Sequence, residues 1–272
     1  MYEVSELERS WLFVPGDRPE RFTRAFASGS DAVVLDLEDS VHTSKKELAC
    51  NSVLEFLESA PVSTVWLRPS RAVPRHDSPE LPLLRHRAVR GVVLPKVESD
   101  QQVRLAQDLF VSNISLVILI ESARALVKLS EISRVNGVTR LALGSLDLLS
   151  DLRATSSELI KYSLIQLVVW SREADIPPPI AGVTANIHGL DDLERETKEA
   201  ISLGCFGKLC IHPSQVPIVN GLHSPTEQAV EWAKEVLLRA TKDGVFVYEG
   251  KMIDAPMVLK AESILRLKAR GH

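Results

Sequence analysis

LVILIESARALVKLSEISRVNGVTRLALGSLD, residues 116–147, holds two short apolar runs that each end in a carboxylate, Glu121 after the first and Asp147 after the second. Runs this short and continuous in Val, Ile and Leu read as strands buried on both faces. The Ser122-Ala123 step after Glu121 begins a helical pattern, so the stretch predicts a strand, helix, strand unit. In a parallel sheet both acids then emerge at the same end, where hard oxygen ligands converge on one Mg2+.

The same pattern recurs along the chain. Apolar runs bounded by polar or Gly/Pro punctuation are WLFVPG from Trp11, DAVVLDLED from Asp31, STVWLRP from Ser63 and GVVLPKV from Gly91, then LVILIES from Leu116, RLALGS from Arg140, PIAGV from Pro179 and FGKLCIHP from Phe206. Between them lie helical segments with start signals: Asp17 ahead of Arg18 and Pro19, Ser44 with Glu47, and Ser99 with Gln102. Strands alternating with helices predict an α/β fold with a parallel sheet. The run count favours a (β/α)8 TIM barrel over an open sheet, with the site at the strand C-termini. The seventh run is the weakest, because Pro177, Pro178 and Pro179 lead into it.

Past the eighth run the pattern changes. Ser224, Pro225 and Glu227 signal a helix that stops near Gly244; VFVY and KMID flank Glu249 and Gly250 as a hairpin; a last helix runs from about Pro256 to Ala269. The expected partition is a catalytic barrel over residues 1–222 and a helix-hairpin-helix arm over 223–272 that packs on an adjacent subunit. No internal repeat or low-complexity segment interrupts this division.

Composition bounds the function. The chain is 45% hydrophobic and 25% charged, and 36 acidic against 32 basic side chains give a net charge of −4 without a run of either sign, which argues against nucleic acid as a partner. The first residues lack the basic flank and apolar core of a signal peptide, and no stretch is apolar enough to span a bilayer, so a cytoplasmic location is expected. Cys50, Cys205 and Cys210 are odd in number and scattered, as reduced core thiols are.

The ends of the runs carry the chemistry. Asp36, Glu38 and Asp39 close the second, Arg68 the third, Lys96 and Glu98 the fourth, Glu121 the fifth, Asp147 the sixth and His212 the eighth. So many charges on one rim waste desolvation energy unless a cation and an anionic substrate balance them. Glu121 and Asp147 are the metal-ligand candidates, with helix capping as the alternative for Asp147. Two carboxylates leave positions on Mg2+, or on Mn2+, for water and a chelating substrate. Asp36, Glu38, Asp39 and Lys96 supply the charge behind them. Arg68 has no acid near it in sequence, so its partner is an anion or developing oxyanion, or else an acid of the second run across the rim. His212 reads equally as a ligand, an acid or a packed rim residue. Gly16 marks a strand-to-helix turn whose N–H groups could meet an anion. No dinucleotide or P-loop pattern is present, and the other histidines lack zinc spacing.

SWLFVPGDRPERF, DAVVLDLEDSV, GVVLPKVES, LIESA, GSLDLL, GKLCIHPSQV and YEGKMIDAP, in that order over residues 10–267, resemble the citrate lyase β-subunit-like enzymes of the HpcH/HpaI aldolase superfamily. The resemblance implies a (β/α)8 barrel, usually a homotrimer, that binds Mg2+ and cleaves or forms a C–C bond in a 3-hydroxyacyl-CoA. It makes Glu121 and Asp147 the metal ligands, Arg68 the residue holding substrate and enolate, and Asp254 of KMIDAP an acid/base delivered by the neighbouring subunit. Phe13, Arg24, Ile211 and His212 resemble positions lining the substrate or CoA cleft. The sequence departs from the family at WLRPS, where Pro69 and Ser70 replace the asparagine side of V-R-I-N. It departs again at Thr184, Ala185, Asn186 and Ile187, where the family commonly shows tyrosine or histidine before L-D-I. Both changes bear on substrate identity. The expected reaction is (S)-citramalyl-CoA to acetyl-CoA and pyruvate, as in itaconate breakdown. The alternatives are a malyl-CoA or citryl-CoA lyase, a citrate lyase β subunit, a malyl-CoA thioesterase, and a non-catalytic barrel subunit.

Overall fold

The computed structural model describes residues 7–62, 64–110, 114–240 and 245–270. It divides into one unit of Glu8–Asn220 and another of Met1–Leu7 with Gly221–His272. In the larger unit seven strands form one parallel sheet: β1 (Ser10–Pro15), β2 (Ala32–Asp36), β3 (Val65–Arg68), β4 (Val89–Leu94), β5 (Ser115–Ile120), β6 (Val138–Leu143) and β7 (Lys208–Cys210), in the order β6-β5-β4-β3-β2-β1-β7. Each strand is an apolar run because both its faces are covered, and the period of two sorts its side chains. Trp11, Val34, Trp66, Val93, Val117, Leu119, Ala142 and Leu209 form one cluster. Their neighbours Leu12, Leu35, Leu67, Leu94, Ile118, Leu143 and Cys210 belong to a second, larger cluster.

Bulk on the inner face needs matching space. Trp11 and Trp66 meet edge to face with centroids 4.7 Å apart. Gly91 on the next strand makes room, since a Cβ there would collide with the Trp66 ring.

The seventh expected run, 179–183, is not a strand. It contributes two isolated parallel bridges, Ala142 with Ile180 and Ala181 with Lys208. The three prolines before Ile180 remove or restrict donors, so pairing begins only at Ile180, whose N–H donates to Leu141 O at 2.9 Å, and Ala181, whose N–H donates to Gly207 O at 2.9 Å. What the described residues form is therefore a curled seven-stranded parallel sheet, with this two-residue step between β6 and β7, in place of the eight regular strands expected.

Helix starts follow local chemistry with some shifts. Ser99 caps Asp100–Leu109 as expected, its Oγ accepting from Gln102 N at 3.3 Å. Near Ser44 the capping side chain is His42, which accepts from Ser44 N. In the smaller unit Thr226, not Ser224, caps Glu227–Arg239. There β8 (Phe246–Tyr248) and β9 (Lys251–Ile253) pair antiparallel across Glu249 and Gly250, both at positive φ, as a two-residue hairpin requires. Ala233, Val236, Ile253 and Ala261 form its core, and Ala255–Arg270 is the last helix. Ser63 and Gly244, named above as a strand start and a helix stop, lie outside the described residues.

All three cysteines are free and buried, and burial pushes each thiol up to about 12, so they stay protonated fillers of the core. No helix among the described residues is long and apolar enough to cross a membrane.

Candidate metal and substrate site

Parallel pairing puts every strand's C-terminus on one edge, and the charged run-ends gather there. Asp36 and Arg68 are register partners on β2 and β3. The guanidinium grips Asp36 at both oxygens, Nε to Oδ1 at 2.6 Å and Nη2 to Oδ2 at 2.7 Å, and its Nη1 lies 3.0 Å from Glu38 Oε2. Thus the rim salt bridge to the second strand, one of the two readings for Arg68, forms. Burial alone would raise the Asp36 carboxyl, but the Arg68 hydrogen bonds and charge hold it below the usual carboxylate range. Glu38 goes the other way, raised chiefly by burial against the pull of Arg68 and Lys96. For Arg68 burial favours the neutral form, yet the bonds to Asp36 outweigh it and the guanidinium is held more firmly protonated than usual. The ring of Phe13 lies under it, 4.8 Å from centroid to Cζ.

Lys96 follows β4 with φ +53°, a left-handed conformation unusual for a side-chain-bearing residue. That turn aims its N–H at Glu121 Oε1, 2.5 Å away, while its Nζ pairs with Glu38 Oε1 at 2.6 Å and Asp39 at 3.2 Å. Lys96 therefore joins the acids of β2 to the acid of β5. Beside Glu121 the backbone of Gly144 passes so close that a Cβ would meet Glu121 Cβ and Oε2 at 2.5 Å. Gly144 precedes the helix Ser145–Asp151, whose first turn carries Asp147 and whose cap is Gly144, so Asp147 is not the capping residue.

Glu121, Asp147, Asp36, Asp39 and Arg68 line one cavity of about 330 Å3, with Phe13, Leu119, Leu143, Val183 and Leu209 among its apolar walls. Glu121 is 4% exposed. Burial, with the charges of Glu38 and Asp147, pushes its carboxyl up to about 8 against the Lys96 N–H bond. A carboxyl raised by burial and by its neighbours' negative charge, in a cradle that a glycine keeps open, fits a divalent cation. Among the described residues no three His, Cys, Asp or Glu converge as a ready-made cage. Two carboxylates such as Glu121 and Asp147 fit the open donor set of an ion that keeps water and meets substrate oxygens.

A second cavity of about 410 Å3 adjoins the first, sharing Phe13, Pro15 and Ile211, and is lined by Arg21, Arg24 and His212. His212 caps the turn Pro213–Gln215: its Nδ1 accepts from Ser214 N at 3.2 Å, and Gln215 Oε1 accepts from His212 N. His212 is thus an exposed cap on the rim that also lines this cavity. Gly16 N–H donates to Asp36 O at 2.7 Å, and Leu37 and Ala49 crowd its Cα, so it serves close packing and not anion binding. Asp254 belongs to the smaller unit, where it starts the terminal helix and its Oδ1 accepts from Met257 N at 3.3 Å.

Sequence reasoning missed buried charges away from the rim. Lys208 donates to Gly182 O at 2.9 Å and Arg140 to Glu8 O at 3.2 Å, both side chains standing inside strand runs. A lone cation within an apolar run, as in GKLCI and TRLAL, was the available signal.

The model of the HpcH/HpaI aldolase/citrate lyase family matches residues 9–213, and that of the C–C bond lyases of the TIM-barrel fold matches residues 169–270. The citrate lyase subunit beta-like protein of Mycobacterium tuberculosis is 31% identical over 271 residues, 94% of each chain. The mitochondrial citramalyl-CoA lyase of Mus musculus is 26% identical over 290 residues, 95% of this chain and 85% of that one. Among solved structures, CitE of M. tuberculosis in complex with magnesium, acetoacetate and coenzyme A superposes with a TM-score of 0.81 at 28% identity, over 96% of this chain and 97% of that one.

Proposed function

Because the chain belongs to the HpcH/HpaI aldolase/citrate lyase family, we propose that it is a Mg2+-dependent carbon–carbon lyase that splits (S)-citramalyl-CoA into acetyl-CoA and pyruvate. The observation that carries this reading is the placement of Glu121, just past β5, and Asp147, in the first turn of the helix after β6, in one cavity with Arg68. The likeness to a citramalyl-CoA lyase and to a structure holding magnesium and coenzyme A supports it.

Glu121 and Asp147 hold the metal, and Mn2+ satisfies the same oxygen donors. Bound there, the ion supplies positive charge that acidifies the 3-hydroxyl and polarises the carbonyl that replaces it. Once a base takes the hydroxyl proton and the C2–C3 bond breaks, charge moves onto the thioester oxygen as an enolate. Arg68 carries more N–H donors than Asp36 and Glu38 engage, so the remainder meet that oxygen. The acid pair fixes the fork in advance, which is what makes such a donor effective. Phe13 supports it from below. Arg21 and Arg24 in the adjoining cavity offer the cationic wall that the phosphates of CoA require.

The finer architecture belongs to the same proposal. The sheet closes through the Ile180–Ala181 step into a (β/α)8 cylinder, a reading supported by bridges to both β6 and β7 and by Ile180 joining the inner cluster. The smaller unit serves as an arm over a neighbouring copy in a homotrimer, bringing Asp254 to protonate the enolate carbon; the KMIDAP motif supports this role.

The test is a panel of citramalyl-, malyl- and citryl-CoA with Mg2+. Acetyl-CoA and pyruvate from the first, at the highest kcat/KM, are expected. Free CoA with intact hydroxy acid would make the chain a thioesterase and defeat the proposal.

A further inference from the structure

Val183 differs from the other apolar walls of the reaction cavity in how it is held. Leu119, Leu143 and Leu209 lie on strands or their ends, fixed by the backbone ladder. Val183 lies past Ala181, the last bridged residue of its run, and packs against the inner cluster while half exposed to the cavity. Side chains hold the residues on either side of it. Gly182 O accepts from Lys208 Nζ at 2.9 Å, and Thr184 O accepts from Gln215 Nε2 at 3.2 Å. Thr184 Oγ1 donates to Glu196 Oε2 at 2.5 Å, and that carboxylate stands 3.6 Å from Lys208 Nζ.

Three of the four bracket residues are buried, Lys208 and Thr184 being 3% exposed and Gln215 1%, while Glu196 reaches them from the half-buried face of its helix. Desolvating a lysine is expensive, and a methionine would fill the same space without that penalty. Lyase chemistry on the rim makes no use of Lys208. What it does accomplish is to satisfy a carbonyl left unpaired where the strand stops, in the residue just before Val183.

Resting on the lyase reading above, we propose that Val183 sets the size of the group accepted on the hydroxyl-bearing carbon, and that Lys208, Glu196, Thr184 and Gln215 are positioning residues that hold it against the cavity. A small apolar substituent such as methyl suits a wall of Val183, Leu119 and Leu209. A second carboxylate does not, because the cavity's acids already outnumber its one arginine.

The experiment is calorimetric binding of glyoxylate, pyruvate and 2-oxobutyrate, which carry hydrogen, methyl and ethyl, to the full chain with Mg2+. A pocket discriminates one methylene by roughly 10- to 200-fold. Val183→Ala is expected to move preference toward 2-oxobutyrate over pyruvate, and Val183→Leu toward glyoxylate, each by about tenfold or more. Lys208→Met and Thr184→Val are expected to flatten the ratios among the three acids while Mg2+ affinity and far-UV circular dichroism stay as in the parent. If Lys208→Met fails to fold, Thr184→Val, which removes one hydroxyl, carries the test. Unchanged ratios in the Val183 variants, or bracket variants that weaken all three acids by one common factor, overturn the proposal. Binding of the acids without turnover of any acyl-CoA defeats only the lyase reading, and the ratios still decide Val183. No binding at all by the parent protein overturns both.

Discussion

Magnesium binding should release a proton, and the amount follows from Glu121. Its carboxyl stands at about 8 in the metal-free protein because burial and the charges of Glu38 and Asp147 disfavour ionisation. A metal ligand must be the carboxylate, so binding competes with the proton. At pH 7 a group of pKa about 8 is ~90% protonated, which gives about 0.9 protons released per Mg2+. From pH 8 to pH 6 the apparent affinity should fall roughly fifty-fold, or about 2.3 kcal/mol. Titration calorimetry in two buffers of different ionisation enthalpy reads the proton count directly. Glu38→Gln removes one of the raising charges and should shift the step to lower pH, whereas Glu121→Gln should abolish both proton release and tight binding. An affinity flat between pH 6 and pH 8, with no protons released, would mean that Glu121 is already ionised or is not a ligand.

Further outcomes follow from the same contacts. For the metal-free protein the sign runs with the raised group: the contribution of Glu121 to stability is fully present below its ordinary 4.5 and is lost as pH rises through about 8, so Tm by calorimetry should fall over that window and saturating Mg2+ should reverse the fall. Gly144→Ala forces a methyl against Glu121 Cβ and Oε2, and should weaken Mg2+ binding at least tenfold by titration with far-UV dichroism unchanged. Gly91→Ala pushes on the Trp66 ring inside the sheet and should cost about 1 to 3 kcal/mol in urea unfolding. Arg68→Lys keeps the charge but loses the fork to Asp36, and kcat should drop by about 10²- to 10³-fold in the acetyl-CoA release assay.

Strand content and the chemistry at strand ends were legible because both depend on local pattern. A parallel strand covered on two faces has to be apolar throughout, and the residues at or shortly past its end have to emerge at the rim, as Asp36, Arg68, Glu121 and Asp147 do. Which rim charges pair was less legible. Asp36 and Arg68 meet through strand register, and the link from Lys96 to Glu121 runs through a backbone N–H in a left-handed turn that no side-chain pattern announces. The 179–183 run shows the same limit from the other side. Its apolar residues predict a strand, but the three prolines leave it only two bridged positions, and buried Lys208 and Gln215 take over the hydrogen bonds that a longer strand would have made.

Whether one cation is held by the two carboxylates is read from anomalous scattering by a crystal of the protein soaked in Mn2+. A single peak within bonding distance of both Glu121 and Asp147 oxygens, absent from Glu121→Gln crystals, is the predicted result. A peak on Glu38 and Asp39 instead, or none in the cavity at saturating Mn2+, would contradict it.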